Sequence, residues 1–135
     1  MERARTGGQG EVPEMKVLEC LEYLVFKIFP NVEGFTFFGN IYFKEKNIDN
    51  IPINLIAHEK KHLKQQENGY LKWIIKYLFS REFRYKQEME AYRESVAHGL
   101  SVIDAIHYLK NDYFLKNYLH KKGYSTKYLK KELEG

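Results

Sequence analysis

His58-Glu59-Lys60-Lys61-His62 sets two histidines four residues apart, with a glutamate directly after the first. On an α-helix of about 3.6 residues per turn, His58 and His62 lie one above the other on the same face, so their imidazoles can share one metal ion. Glu59 is turned about 100° round the helix from His58, too far to be a third ligand at ordinary distances but near enough to hold a water on the metal. The spacing therefore separates two ligands from a base. With 5 His and 15 Glu in 135 residues, random order would produce this pattern roughly once in fifty arrangements. The plain alternative is a solvated helix face on which the histidines sit near Lys60, Lys61 and Lys64, so the flanking sequence must carry the assignment.

A catalytic metal of this kind takes three protein ligands and keeps a fourth position for water. Glu88 and Glu90 follow His62 by 26 and 28 residues, on a segment that could run back past the motif helix. Two apart, they point about 200° away from each other on a helix, so only one can face the metal. Glu88 shares its face with Tyr85, Ala91 and Tyr92, where alanine permits close helix approach and tyrosine can orient a ligand. Glu90 shares its face with Lys86, Arg93 and Glu94, a pattern expected of a solvated stripe. Glu88 is the expected third ligand and Glu90 the alternative.

These residues need elements to hold them. Val17, Leu18, Leu21, Leu24, Val25 and Ile28 recur at helical spacing before Pro30, predicting a first helix over about 14–29 that packs on the core. Aromatic and β-branched residues on either side of Gly39-Asn40 predict a hairpin with strands at about 35–38 and 41–44. Asn50 is the expected cap of a motif helix that starts near Pro52 and runs to about Asn68, with Gly69 as its stop. Residues 71–79 are apolar nearly all round and predict a short helix covered on several sides. Further helices are expected at 81–98, ending at Gly99, at 102–110 after a Ser101 cap, and at 112–121 and 126–133. No internal repeat or low-complexity tract is present. The fold class is thus α+β, mainly helical, with a short hairpin before the motif helix.

The length fits one domain, expected over 14–135 behind a charged, Gly-rich flexible leader at 1–13, with Met15 as an alternative start. The 44% apolar and 16% aromatic content supplies enough packing surface to argue against disorder. Neither the leader nor the first helix has the unbroken apolar length of a membrane span. Cys20 is the sole cysteine, which excludes an internal disulfide and points to a buried thiol in a reducing, cytoplasmic setting. From 110 to 135, seven lysines face Asp112, Glu132 and Glu134, so this helical tail carries the whole net charge of +4. Such a tail could make weak contact with nucleic acid or an acidic surface, although lysines on an exposed helix face are ordinarily just solvated.

His58-Glu59-Lys60-Lys61-His62-Leu63-Lys64-Gln65-Gln66, followed by Glu88-Met89-Glu90-Ala91-Tyr92, resembles the gluzincins, the thermolysin-like zinc peptidases. The closer similarity is to small single-domain metallopeptidase-like proteins of bacteria and phages with HExxHxxQQ followed by ExEAY or ExEAD, over roughly residues 35–98. The resemblance implies a zincin-like core, Zn2+ held by His58, His62 and Glu88, and Glu59 as the base. It implies a hydrolase acting on a peptide or protein substrate. Larger gluzincins often carry an acidic residue four positions after the ligand glutamate, where this chain has Tyr92, and they have a substrate-binding domain that this chain lacks. By sequence proximity Tyr85, Tyr92 and His98 are the candidate oxyanion donors, and the 35–43 hairpin could align an extended substrate along its edge. His107 and His120 read as surface residues. Two other classes stay open: a basic interaction module working through the tail, and a zinc-bound scaffold without turnover.

Overall fold

The computed structural model describes residues 13–37 and 39–135, the side chains of 13–18 excepted. The expected leader at 1–13 lies outside them apart from Pro13, which opens the first helix. The chain groups into two compact units, Met1–Ile51 and Pro52–Gly135, within the length the sequence assigns to one domain. The architecture is mainly helical with one antiparallel hairpin preceding the motif helix.

The first unit holds α1 (Pro13–Ile28), β1 (Gly34–Phe37) and β2 (Asn40–Phe43). Pairing runs from Gly34↔Phe43 to Phe37↔Asn40, so the strands sit one residue earlier than the sequence suggests, and Asn40 belongs to β2 rather than the turn. Gly39 takes φ +76°, a conformation that costs an L side chain about 1 kcal/mol or more and that glycine enters freely. Phe38, expected to end the first strand, lies outside the described residues. On α1 the buried stripe differs from the expected one: Glu22 is buried and ion-paired to Lys46, and Phe26 packs at 5.3 Å on Phe35, which stacks on Tyr42. Leu24 and Ile28 are exposed in consequence. So is Cys20, which corrects the expectation of a buried thiol.

The second unit contains α2 (Ile53–Gln65), α3 (Tyr70–Phe79), α4 (Arg81–Ala97), α5 (Val102–Asn111), α6 (Lys116–Lys122) and α7 (Thr126–Glu134). Asn50 does not cap α2. It ends a 3-10 turn, Ile48–Asn50, whose own cap is Asn47 accepting from Asp49 N–H. Pro52, extended at ψ 140°, precedes the first helical residue, and its carbonyl accepts from Leu55 and Ile56. A proline there sacrifices no hydrogen bond, because the first amides of a helix have no intrahelical acceptor. At the other end α2 stops at Gln65, three residues short of the expected end, and Gly69 at φ 148° starts α3 instead of closing α2.

Helix α3 corrects a second expectation. Only Trp73 on it is fully buried, while Leu71 is 66% and Phe79 84% exposed, so the helix is covered on one side. Ser80, Ser101 and Ser125 each accept a backbone N–H three residues on and so fix the starts of α4, α5 and α7. The core of this unit joins Tyr85 and Met89 of α4 to Leu109 of α5, Leu115 and Leu119 beside and on α6, and Leu129 of α7. The lysine-rich tail is therefore structural: Leu129 and Leu133 are buried while all seven of its lysines are exposed. Among the described residues no helix is long and apolar enough to cross a membrane.

Candidate metal centre

Helices α2 and α4 lie against each other, and Ala91, with no exposed surface, leaves room for that approach. One turn of α2 presents His58 and His62, their rings 4.8 Å apart and edge to face. From α4, the Glu88 carboxylate enters between them: Oε1 lies 3.2 Å from His58 Nε2 and Oε2 3.1 Å from His62 Nε2. All three side chains are buried. One ligand atom can be drawn from each such that all lie within 4.8 Å of one another. In a tetrahedral site with bonds of about 2.1 Å, neighbouring ligand atoms are about 3.4 Å apart, close to the 3.2 and 3.1 Å between Glu88 and the two Nε2 atoms. The group could hold a metal ion.

The far side of each imidazole is occupied. His62 Nδ1 is 2.9 Å from Gln65 Oε1, and Gln65 Nε2 donates to the Gln87 carbonyl and to Glu90 Oε1. A side-chain amide oxygen only accepts, so Nδ1 must carry the proton. His58 Nδ1 lies 3.4 Å from Ser95 Oγ, whose hydroxyl donates to the Asn54 carbonyl and so accepts from the ring. Both rings thus turn Nε2 toward Glu88, the arrangement that polar partners impose on metal-binding histidines. Glu90, expected either as alternative ligand or on a solvated stripe, does neither: it accepts from Gln65 and supports His62 at one remove.

Burial alone would lower the pKa of His62, but the charge of Glu88 and its hydrogen bond, helped by Glu59 and Gln65, override this and raise it to about 9. Burial likewise opposes ionisation of Glu88, and His62 together with hydrogen bonds from both rings holds it well below the usual carboxylate range. In the metal-free protein His62 and Glu88 thus favour each other's charged form, an imidazolium–carboxylate pairing. Glu59 is buried on α2, and its charge is felt by His62 and by Tyr92. Burial first, then the charges of Glu88, Asp112 and Glu59, push Tyr92 well above the usual phenol range, so it stays a hydroxyl donor. Its ring lies 4.3 Å from that of His58.

The two other candidate oxyanion donors lie elsewhere. Tyr85 packs among Tyr118 and Tyr124 in the core, its hydroxyl without a hydrogen-bond partner. His98 is exposed beyond the end of α4, with Nδ1 on the Glu94 carbonyl. His107 and His120 are on the surface, as expected. Four contributors go beyond the sequence reading: Gln65, Ser95, Trp73 and Tyr77. Gln65 is three residues past His62 and Ser95 seven past Glu88, same-face positions that helical spacing could have flagged. Trp73 and Tyr77, with ring centres 5.9 and 6.0 Å from His62, arrive from α3 by a tertiary turn that carries no such signal. No family model, curated protein or solved structure matches this chain.

Proposed function

We propose that this chain is a zinc-dependent metallopeptidase, in which His58, His62 and Glu88 hold the metal and Glu59 is the general base. The observation that carries the reading is the meeting of two Nε2 atoms and one carboxylate at 3.1 to 3.2 Å beside a second buried carboxylate, Glu59. Two imidazoles and one carboxylate form a donor set used by catalytic zinc, with a place left for water. Bound zinc supplies a Lewis acid that polarises a carbonyl and makes water acidic near neutral pH.

The chain's own groups supply the rest. As water oxygen bonds to the carbonyl carbon of a peptide or protein substrate, a Glu59 carboxylate oxygen takes the water's proton. When the carbon–nitrogen bond breaks, Glu59 returns that proton to the leaving amine nitrogen, and both products leave with atoms balanced. The Tyr92 hydroxyl, kept protonated beside His58, is the donor for the oxyanion that forms between these steps. The exposed free thiol of Cys20 suits a reducing, cytoplasmic setting.

The test is metal analysis and peptide-library cleavage on zinc-loaded protein. Glu59→Gln keeps one zinc and loses cleavage by a factor of about 100 or more, whereas His58→Ala and Glu88→Ala lose the zinc. Glu90→Ala keeps it. Zinc retained with no cleavage of any library member by the unaltered chain replaces the peptidase with a metal-bound scaffold.

A further inference from the structure

The Tyr77 hydroxyl donates to Oε2 of Glu88, the oxygen that faces His62, while Oε1 faces His58. We propose that Tyr77 is a positioning residue which reserves Oε2, so that Glu88 offers the metal one oxygen and the fourth position stays open. This rests on the metal-binding reading of His58, His62 and Glu88.

A carboxylate can bind a divalent cation through one oxygen or both, and a free second oxygen next to the metal readily becomes a ligand. With two imidazoles and a two-oxygen carboxylate the protein would fill all four positions, so that water could enter only as a fifth ligand. Something must occupy the second oxygen, and Tyr77 is built to do so. Its ring stacks on Trp73 at 4.5 Å with an interplanar angle of 17°. The Arg84 guanidinium lies 4.2 Å from the same ring centre, and two groups that close cannot share one ring face. Both clamps are themselves fixed. Trp73 Nε1 donates to Gln87 Oε1 at 2.8 Å. Arg84 lies 4.5 Å from the Phe114 ring and pairs with Asp112, whose Oδ1 accepts from the Phe114 and Leu115 amides. A phenol sandwiched in this way keeps its hydroxyl on one target, the role that outer hydrogen bonds play in orienting metal ligands.

Tyr77→Phe retains the ring and removes only the hydroxyl, so packing is preserved. The probe is Co2+, whose visible absorption is intense when four-coordinate and weaker when five-coordinate, read with metal affinity by chelator competition and with thermal unfolding of the metal-free protein. The expected result is a four-coordinate spectrum for the unaltered chain, a five-coordinate one for Tyr77→Phe, and affinity changed by roughly 10- to 100-fold. A Tyr77→Phe protein with the unaltered spectrum and affinity overturns the proposal, as does a five-coordinate spectrum in the unaltered chain. Should the variant fail to unfold cooperatively, the unaltered chain decides alone: four-coordinate cobalt supports the proposal and five-coordinate cobalt ends it. Failure of the unaltered chain to bind cobalt at all refutes the underlying metal site instead.

Discussion

Metal binding at this site must compete with a proton, and the competition can be sized. His62 is raised to about 9, against burial, by the charge and hydrogen bond of Glu88, so at pH 7 about one molecule in a hundred has the neutral imidazole that a metal requires. Raising the pH from 7 to 9 removes most of that handicap. Affinity should climb about tenfold from pH 7 to 8 and about fiftyfold by pH 9, or about 2 kcal/mol, and level off above that pH at about a hundredfold. Binding at pH 7 should release about one proton per metal. The sign reverses for the metal-free fold. Because the folded pKa of His62 lies above the ordinary 6.5, its contribution to stability is complete below pH 6.5 and lost as pH rises through about 9. Glu88 acts oppositely: its contribution is present above the ordinary carboxylate range and lost as pH falls through its lowered pKa. Metal-loaded protein should hold its stability above pH 9 where metal-free protein loses it. Metal-buffered titrations at fixed ionic strength from pH 6.5 to 9.5, with proton release followed by indicator in weak buffer, measure both quantities. An affinity that is flat from pH 7 to 9, with no proton released, would show that His62 is already neutral and refute the imidazolium–carboxylate account.

What could be read from the sequence follows from the range over which each interaction acts. The stacking of His58 on His62, and the rule that only one of Glu88 and Glu90 can face them, depend on angles round a single helix, which residue spacing fixes; the choice of Glu88 rests on its neighbours Tyr85, Ala91 and Tyr92, of which Tyr85 and Ala91 are buried. Serine caps such as Ser101 are local for the same reason. The start of α2 escaped because Asn50 and Pro52 together look like a cap and first turn, whereas Asn47 claims a separate turn and Pro52 itself precedes the helix. Gly69 looks like a helix stop, but its positive φ serves the entry to α3. The exposed side of α3 is illegible because an apolar helix reads as buried wherever its neighbours are unknown, and the clustering of Leu71, Ile75, Leu78 and Phe79 on an open face is a tertiary outcome. Tyr77 is hidden for the deeper reason that nothing within α3 marks it: its meaning comes from Glu88 and Arg84 on α4 and from Asp112 beyond α5.

The remaining expectations concern the groups behind the ligands and the tail. Gln65→Ala frees His62 Nδ1 and also strips Glu90 of the amide that links it to the site, so chelator competition should show metal affinity weakened by roughly 10- to 100-fold with one metal still bound. Ser95→Ala should weaken it less, because the His58 contact is longer, at 3.4 Å against 2.9 Å; equal losses would mean that both changes act through helix packing rather than ring orientation. Leu129→Ala tests whether the basic tail is core or appendage. Leu129 has no exposed surface and packs in the cluster that contains Tyr85 and Met89 of α4, the helix that carries Glu88. A detachable tail would tolerate the change, whereas a buried leucine truncated to alanine costs about 2 to 5 kcal/mol through lost burial and the cavity left behind. Urea unfolding of the metal-free protein should therefore register a loss in that range, and a change below about 0.5 kcal/mol, the usual scale for surface substitutions, would detach the tail from the fold that holds the site.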